Sequence, residues 1–456
     1  MAANPKLYPV SLGCAKNRVD TEIMLGLLSR AGWEIVSQAA TADVLLVNTC
    51  GFIAPASQES IDTVLELAAY KQADPKKRLV VTGCLAQRYR TELPALLPEV
   101  DAFIGVNDFP QIVRILAHLN QRHETSTFCQ APCYGYQEIG PRLLTTPFYS
   151  AYLKIAEGCS HRCTYCTIPQ IRGPFRSRPL EVILQEARNL SAQGVCELNL
   201  IAQDTTAYGL DWGEPHQLPK LLEGLCQIPG IHWLRLLYSH PARITPELLT
   251  VMADHPQICP YLDLPLQHVN DQLLKRMGRG YNKKVILDTI DRSRRVLPQA
   301  ALRTTVMVGF PGETEDQFAE LCQVIEQIGF DHLGVFEFQP EEGTPACGFT
   351  DQVPVRLARQ RARQLMALQA RLVKKKLRSL VGTVQEVLVE GPSPETELLL
   401  CGRLATQAPE VDGQVYITAG DGQIGQIQPV RITSAHTYDL VGEIIAPIQK
   451  RIMGKR

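Results

Sequence analysis

Short, nearly continuous apolar runs alternate with stretches of helical spacing through most of this chain. KLYPVSL precedes a helical pattern near Arg18–Arg30, DVLLVNT one near Ser57–Lys71, and RLVVTG one near Gln87–Leu97; DAFIGV closes the series. Strands that are apolar throughout, with helices between them, are buried on both faces, as in a parallel sheet of βαβ units. The first segment therefore reads as a parallel α/β domain over about residues 6–125. A polar stretch holding Cys129, Cys133 and Pro141 follows and reads as a linker.

From about 145 to 375 the alternation repeats six times. The candidate strands are AYLKIAE, ELNLIAQ, HWLRLLY, YLDLPLQ, LRTTVMVGF and HLGVFEFQ, the first five each followed by a helix-like stretch. Six β/α units predict a parallel, barrel-like sheet, open rather than closed with eight strands. Residues 355–379 predict a long Arg/Lys-rich helix leading the chain outward. Between about 380 and 446 the period drops to two, in VQEVLVE, ELLLCGRL and GQVYITAG, with Gly and Pro between. That pattern predicts a small antiparallel β-barrel. The fold class is α/β throughout, with this barrel appended.

A chain of 456 residues suits two or three such domains. No apolar run is long enough to span a membrane. The start, MAANPKLYPVSLGC, lacks the charged and apolar regions of a secretory signal, so the expected place is the cytoplasm, with no membrane partner. Fourteen cysteines in a reducing compartment point to metal or catalysis wherever they cluster.

They cluster in GCSHRCTYC, where Cys159, Cys163 and Cys166 form C-x3-C-x2-C directly after the first strand of the six-unit domain. Three thiolates on one loop can hold three irons of a cubane, leaving the fourth iron open to a ligand. The alternative is a zinc site, but structural zinc wants four ligands and this is not a zinc spacing. His161, inside the tight loop, is badly placed to be the fourth. A second set comprises Cys14 in SLGCAKN, Cys50 in NTCGF and Cys84 in TGCLAQ. Each falls just past the carboxyl end of a predicted parallel strand, the edge where open α/β sheets bind ligands. Taken singly each would be a buried thiol; three at equivalent addresses point to a second three-cysteine cluster site. Cys129, Cys133, Cys196, Cys226, Cys259, Cys322, Cys347 and Cys401 receive no role.

The C-x3-C-x2-C loop, with aromatic Tyr165 before its third cysteine, resembles the signature of the radical S-adenosylmethionine superfamily. With SLGCAKN, NTCGF, TGCLAQ, IAEGCSHRCTYCTIPQIRG and VGFPGETE, the chain resembles the methylthiotransferase family over nearly its whole length. That resemblance implies an amino-terminal cluster domain, a radical domain on a partial β/α barrel and a carboxyl-terminal TRAM domain. It also implies two 4Fe–4S clusters and S-adenosylmethionine, one molecule giving a methyl group to sulfur at the auxiliary cluster and a second giving the radical. By the same analogy Tyr165, Gln203, Asp204 and Gly309 border the cofactor. No catalytic residue is assigned beyond the cluster ligands.

The family splits between tRNA and an aspartate of the twelfth small-subunit ribosomal protein. Between Val381 and Ala446 stand nine acidic residues: Glu386, Glu390, Glu395, Glu397, Glu410, Asp412, Asp421, Asp439 and Glu443. Only Arg403 and Arg431 oppose them, a net of 2 − 9 = −7. A tRNA-docking domain should be basic, whereas an acidic one suits a basic protein. IPQIRG, LIAQDTTAYG, APEVDGQVYI and YDLVGE also look like the ribosomal-protein branch. The expected substrate is that basic protein, within the ribosome or free, with an electron donor as second partner. The competing readings are tRNA methylthiolation and a non-catalytic iron–sulfur carrier. The basic helix Arg356–Arg378 is the one feature that speaks for RNA.

Overall fold

A computed structural model describes residues 4–119, 125–133, 140–214 and 216–445. The first domain is a six-stranded parallel sheet in the order Glu34–Ile35, Lys6–Ser11, Val44–Thr49, Arg78–Gly83, Ala102–Ile104, Ser126–Phe128. Val44–Thr49 is buried at every position, as a central parallel strand covered on both faces must be. Helices Ala15–Arg30 and Ala54–Ala73 cover the sheet. The single helix expected near Gln87–Leu97 is two short ones, Cys84–Arg88 and Leu93–Leu96. Pro94 explains the break: it has no N–H to continue a helix and fits only the first turn of a new one. Ser126–Phe128, read from the sequence as the start of the linker, pairs in parallel with Ala102–Ile104.

The central domain contains the six expected parallel strands, arranged as two three-stranded sheets. One holds Ser150–Lys154, Glu197–Ile201 and Trp233–Leu236; the other holds Tyr261–Asp263, Ala301–Val308 and His332–Glu337. A single parallel bridge, Leu234 to Ile258, joins the halves. Pro260, Pro265 and the irregular stretch after Asp263 keep the fourth strand to three residues, because proline cannot donate to a ladder. Helix Val355–Arg378 lays Ala358, Leu365, Leu368 and Val373 against this domain and carries the chain to a closed five-stranded barrel. In that barrel Val415–Ala419 pairs in parallel with Leu440–Ile444, a departure from the purely antiparallel expectation.

The barrel is clamped to the central domain through charge. Glu197, fully buried, accepts from Arg403 at 2.6 and 3.1 Å and from Arg235 at 3.1 Å. Asp412 accepts from Tyr261 at 2.7 Å and faces Arg303 and His332. Glu410 pairs with Arg18, and Glu390 with Arg403. Among the barrel acids, Glu390 and Asp412 are thus withdrawn from the exposed surface and exposed Glu410 is paired, so the outward acidic surface is narrower than the sequence count. Glu386, Glu395, Glu397, Asp421 and Glu443 remain exposed.

Burial alone would push the Glu197 carboxyl up, but Arg403 and Arg235 outweigh it and hold the pKa at about 2. A carboxylate depressed in the folded state stabilises it fully above its unfolded pKa near 4.5 and loses that contribution as pH falls towards 2. The urea midpoint is therefore expected to fall from pH 5 to pH 3, and Glu197→Gln to weaken that slope; equal slopes would refute it.

Candidate functional site

The register aligns Ser11 with Asn48 and Thr49 with Gly83, so three neighbouring strands end level. Cys14, Cys50 and Cys84 follow those ends along one edge. Two glycines let the loops close. A Cβ on Gly13 (φ +85°) would lie 2.8 Å from the Cys50 Cβ, and one on Gly83 (φ +99°) 2.2 Å from Asn48 Oδ1. Both positive φ values suit glycine alone among ordinary residues. Asn17 ties the loops together, donating to the carbonyls of Thr49 (2.8 Å) and Leu12 (3.2 Å), while Asn48 donates to the Asn17 carbonyl at 2.8 Å.

The C-x3-C-x2-C set of the central domain follows strand Ser150–Lys154 and the short strand Ala156–Glu157. Cys159, Cys163 and Cys166 are all partly accessible. Arg279 donates to Cys163 Sγ at 3.3 Å and to the Tyr165 hydroxyl at 3.4 Å. Burial pushes the Cys159 thiol up to about 11 and Cys166 to about 12. Burial likewise raises Cys50 and takes Cys84 to about 11. At Cys14 the enclosing protein also pushes upward, but Lys16, Arg172 and the N–H groups of Asn17 and Lys16 prevail and lower it. Raised thiols such as Cys84, Cys159 and Cys166 are poor free nucleophiles, and a bound cation would favour their thiolate form.

The other sequence-predicted residues fall around this loop with distinct jobs. His161 turns away from the cysteines: its Nε2 lies 2.7 Å from Asp204 Oδ2, and its ring stacks on His240 with centroids 4.5 Å apart. Asp204 is committed, meeting His161, Arg243 and, at 2.6 Å, Thr206. Gln203 donates to Glu157 at 2.6 Å, and its own Oε1 is buried without a partner. Tyr165 packs edge-on to Phe310. Gly309 has a packing reason to be glycine, since a Cβ there would lie 2.4 Å from the Ala358 Cβ on the long helix.

Arg172 joins the two sets, and sequence reasoning missed it. It is 2% exposed, on the short helix Ile168–Arg172 just beyond Cys166. One terminal nitrogen donates to Asp20 and Glu157, each at 2.9 Å; the other donates to Cys84 Sγ at 3.3 Å and to Asn17 Oδ1. Lys154, fully buried, meets the same two carboxylates at 2.6 and 2.8 Å. IPQIRG displayed the arginine, but nothing in its spacing says that it crosses a domain boundary. Arg88 makes a second crossing, to Glu341 at 2.9 Å and the Gly51 carbonyl beside Cys50 at 2.9 Å.

No three His, Cys, Asp or Glu residues among those described group closely enough for a single metal ion. The donor sets suit something else: three thiols each, a cation beside each set, and unsatisfied buried polar atoms on Gln203 and both ring nitrogens of His240. Cubane clusters take cysteine thiolates, and hydrogen bonds to sulfur tune them, so the residues present fit such groups.

Three family models match: "Uncharacterized protein family UPF0004" over residues 6–105, the radical SAM superfamily over 153–325 and the TRAM domain over 381–445. The chain is 51% identical over 439 residues to the ribosomal protein uS12 methylthiotransferase RimO of Pelobacter propionicus, covering 96% of this chain and 98% of that one. It is 50% identical over 444 residues to the protein of the same name from Geobacter sulfurreducens, covering 97% and 99%. Among solved structures, the radical S-adenosylmethionine methyltransferase TsrM of Kitasatospora setae superposes with a TM-score of 0.55 at 13% identity, covering 86% of this chain and 80% of that one. That likeness concerns the fold. No helix among the described residues is long and apolar enough to cross a membrane.

Proposed function

The chain belongs to the ribosomal protein uS12 methylthiotransferase family of radical S-adenosylmethionine enzymes, and from that premise we propose that it adds a methylthio group to the β-carbon of an aspartate in uS12. The observation that carries the reading is the pairing of two three-thiol sets across one buried network, Arg172–Glu157–Asp20–Lys154. The family works with two 4Fe–4S clusters and S-adenosylmethionine, which supply the radical that removes hydrogen and the methylated sulfur that replaces it.

Cys159, Cys163 and Cys166 would hold one cluster, and Cys14, Cys50 and Cys84 the other. Arg279 and Arg172 each donate to a thiol sulfur of one set, favouring the thiolate form and offsetting the charge of the set. Tyr165, Gln203, Asp204 and Gly309 border the cofactor in this reading. The free Gln203 Oε1 is the polar atom that supports such contact, whereas Asp204 acts by positioning His161 and Arg243.

Two surfaces support recognition of uS12 within the small subunit. The exposed barrel acids suit a basic protein. Helix Val355–Arg378 carries no acidic residue, and its outer face lines up Arg356, Arg359, Arg363, Arg371, Lys374 and Lys375. Among the described residues Arg359 alone of these has an acidic neighbour, Glu337 at 3.9 Å, and Arg356, Arg359 and Arg363 line a groove of about 550 Å³. Phosphate is the partner that suits such a stripe. A particle of RNA and basic protein offers both surfaces together; in this reading the enzyme works in the cytoplasm beside a one-electron donor.

The test uses anaerobically reconstituted enzyme with S-adenosylmethionine, reductant and sulfide, offered a uS12 loop peptide, small ribosomal subunits or tRNA. Mass spectrometry is expected to find one methylthio group on the peptide and on uS12 in subunits, and none on tRNA. Arg356→Ala/Arg359→Ala/Arg363→Ala together should cut activity on subunits roughly tenfold or more while sparing the peptide. Modification of tRNA alone would overturn the substrate, and absence of both 5′-deoxyadenosine and transfer would favour the carrier reading.

A further inference from the structure

Lys16 is the second residue of helix Ala15–Arg30, two positions after Cys14, and is 7% exposed. Buried cations elsewhere in the molecule are matched. Lys154, Arg172, Arg235, Arg361 and Arg403 each meet a carboxylate, and Lys77 meets two carbonyl oxygens. Lys16 meets neither among the described residues; its Nζ sits 3.1 Å from the centroid of the Tyr238 ring. The Cys14 sulfur, two positions away, acts on its charge, and the two carboxylates that also do so are taken. Glu157 serves Lys154, Arg172 and Gln203, and Asp263 serves Arg303 at 3.0 Å and the Tyr238 N–H at 2.8 Å.

Tyr238 adds an independent observation. It lies just past strand Trp233–Leu236, at the carboxyl edge of the central sheet, with φ at +60°. A bulky side chain in the left-handed region is strained and persists only where its surroundings impose it; such residues cluster at ligand sites. The fold thus spends strain to bring an aromatic face to the carboxyl edge of a parallel sheet, and rests on it an ammonium that no carboxylate pairs with among the described residues. A buried cation held by a ring face and not by a carboxylate is poorly compensated, and an incoming anion relieves that cost.

We propose that Lys16 is the subsite for the carboxylate of the target side chain, lifting from the Tyr238 ring to pair with the aspartate and holding its β-carbon beside the thiol sets. The inference rests on the aspartate reading above. It also accounts for choice of substrate: an aspartate brings one negative charge and two acceptors to Lys16, whereas a base or an asparagine brings no charge. Lys16 is here a positioning and specificity residue, with no bond made or broken at its nitrogen.

The experiment compares holoenzyme binding to a fluorescent uS12 loop peptide carrying the target aspartate and to the same peptide with asparagine there, by anisotropy without oxygen. Wild-type enzyme is expected to prefer the aspartate peptide by roughly 10- to 100-fold, the range for a hydrogen bond to a charged group. Lys16→Met and Lys16→Gln should bind both peptides alike, and Lys16→Arg should keep part of the preference, each compared with wild type at matched iron content. An undiminished preference in Lys16→Met, or loss of iron without change in preference, overturns the inference: Lys16 would then serve the thiol set alone. Should wild-type enzyme modify neither peptide, the aspartate reading falls and takes the inference with it; modification with an unchanged preference sinks the inference only.

Discussion

Cys163→Ala is expected to abolish both reductive cleavage of S-adenosylmethionine and methylthio transfer, whereas Cys50→Ala is expected to abolish transfer and leave cleavage largely intact. The asymmetry follows from the proposed division of labour. Cys163 belongs to the set beside the cofactor-bordering residues, and Arg279 is built to serve it, reaching its sulfur at 3.3 Å while anchored to Tyr281 at 3.0 Å and the Pro265 carbonyl at 3.0 Å. Cys50 belongs to the edge of the first sheet, with Gly13 pressed against it. A cubane deprived of one of three thiolates has no fourth protein ligand to replace it, since His161 is held by Asp204. Each variant should retain about four of about eight irons per chain. Turnover should fall to background, the whole enzymatic acceleration being lost. Iron analysis and chromatography of 5′-deoxyadenosine read the two outcomes separately. Undiminished cleavage in Cys163→Ala, or abolished cleavage in a Cys50→Ala protein with a full radical cluster, would sink the assignment.

The sequence made the three layers and both thiol sets legible because each follows from a local rule. Apolar runs with helices between them specify parallel strands, and a cysteine after such a run is at a known address whatever the partner strands are. The same logic is silent where proximity is made by the fold. A Cβ on Gly309 would meet Ala358, almost fifty positions later, and no local rule announces that contact. Nor does the sequence show that Asp204 holds His161 and Arg243. The barrel's negative count was correct as a sum and incomplete as a surface, because Glu390 and Asp412 turn inward to arginines and a histidine, and exposed Glu410 is paired with Arg18. Lys16 and Arg172 were visible as letters in SLGCAKN and IPQIRG, but burial and pairing are properties of the assembled domains.

Arg172→Met is expected to destabilise the protein by roughly 3–5 kcal/mol and to strip iron selectively from the first thiol set. The side chain occupies a place where two domains each contribute a carboxylate, Asp20 from the first and Glu157 from the second. Lys154 also contacts both, so among the described residues the network sets two cations against two anions. Methionine fills similar space but leaves two buried carboxylates sharing one ammonium, and breaking a buried pair costs far more than the pair contributes over an apolar substitute. Cys84 and Asn17 lose their donor as well, raising a thiol that burial already pushes up to about 11. Arg172→Lys should rescue little, because one ammonium cannot reach the carboxylates and the sulfur in the planar fork that a guanidinium offers. The discriminating measurement is a double-mutant cycle with Glu157→Gln, read by urea denaturation of the cluster-free protein. If Arg172 acts through the charge balance, the second substitution should cost much less on the Arg172→Met background than alone, giving a coupling of about 1–3 kcal/mol. Strict additivity would mean that Arg172 merely fills space, and that the two thiol sets are not bound into one charge network.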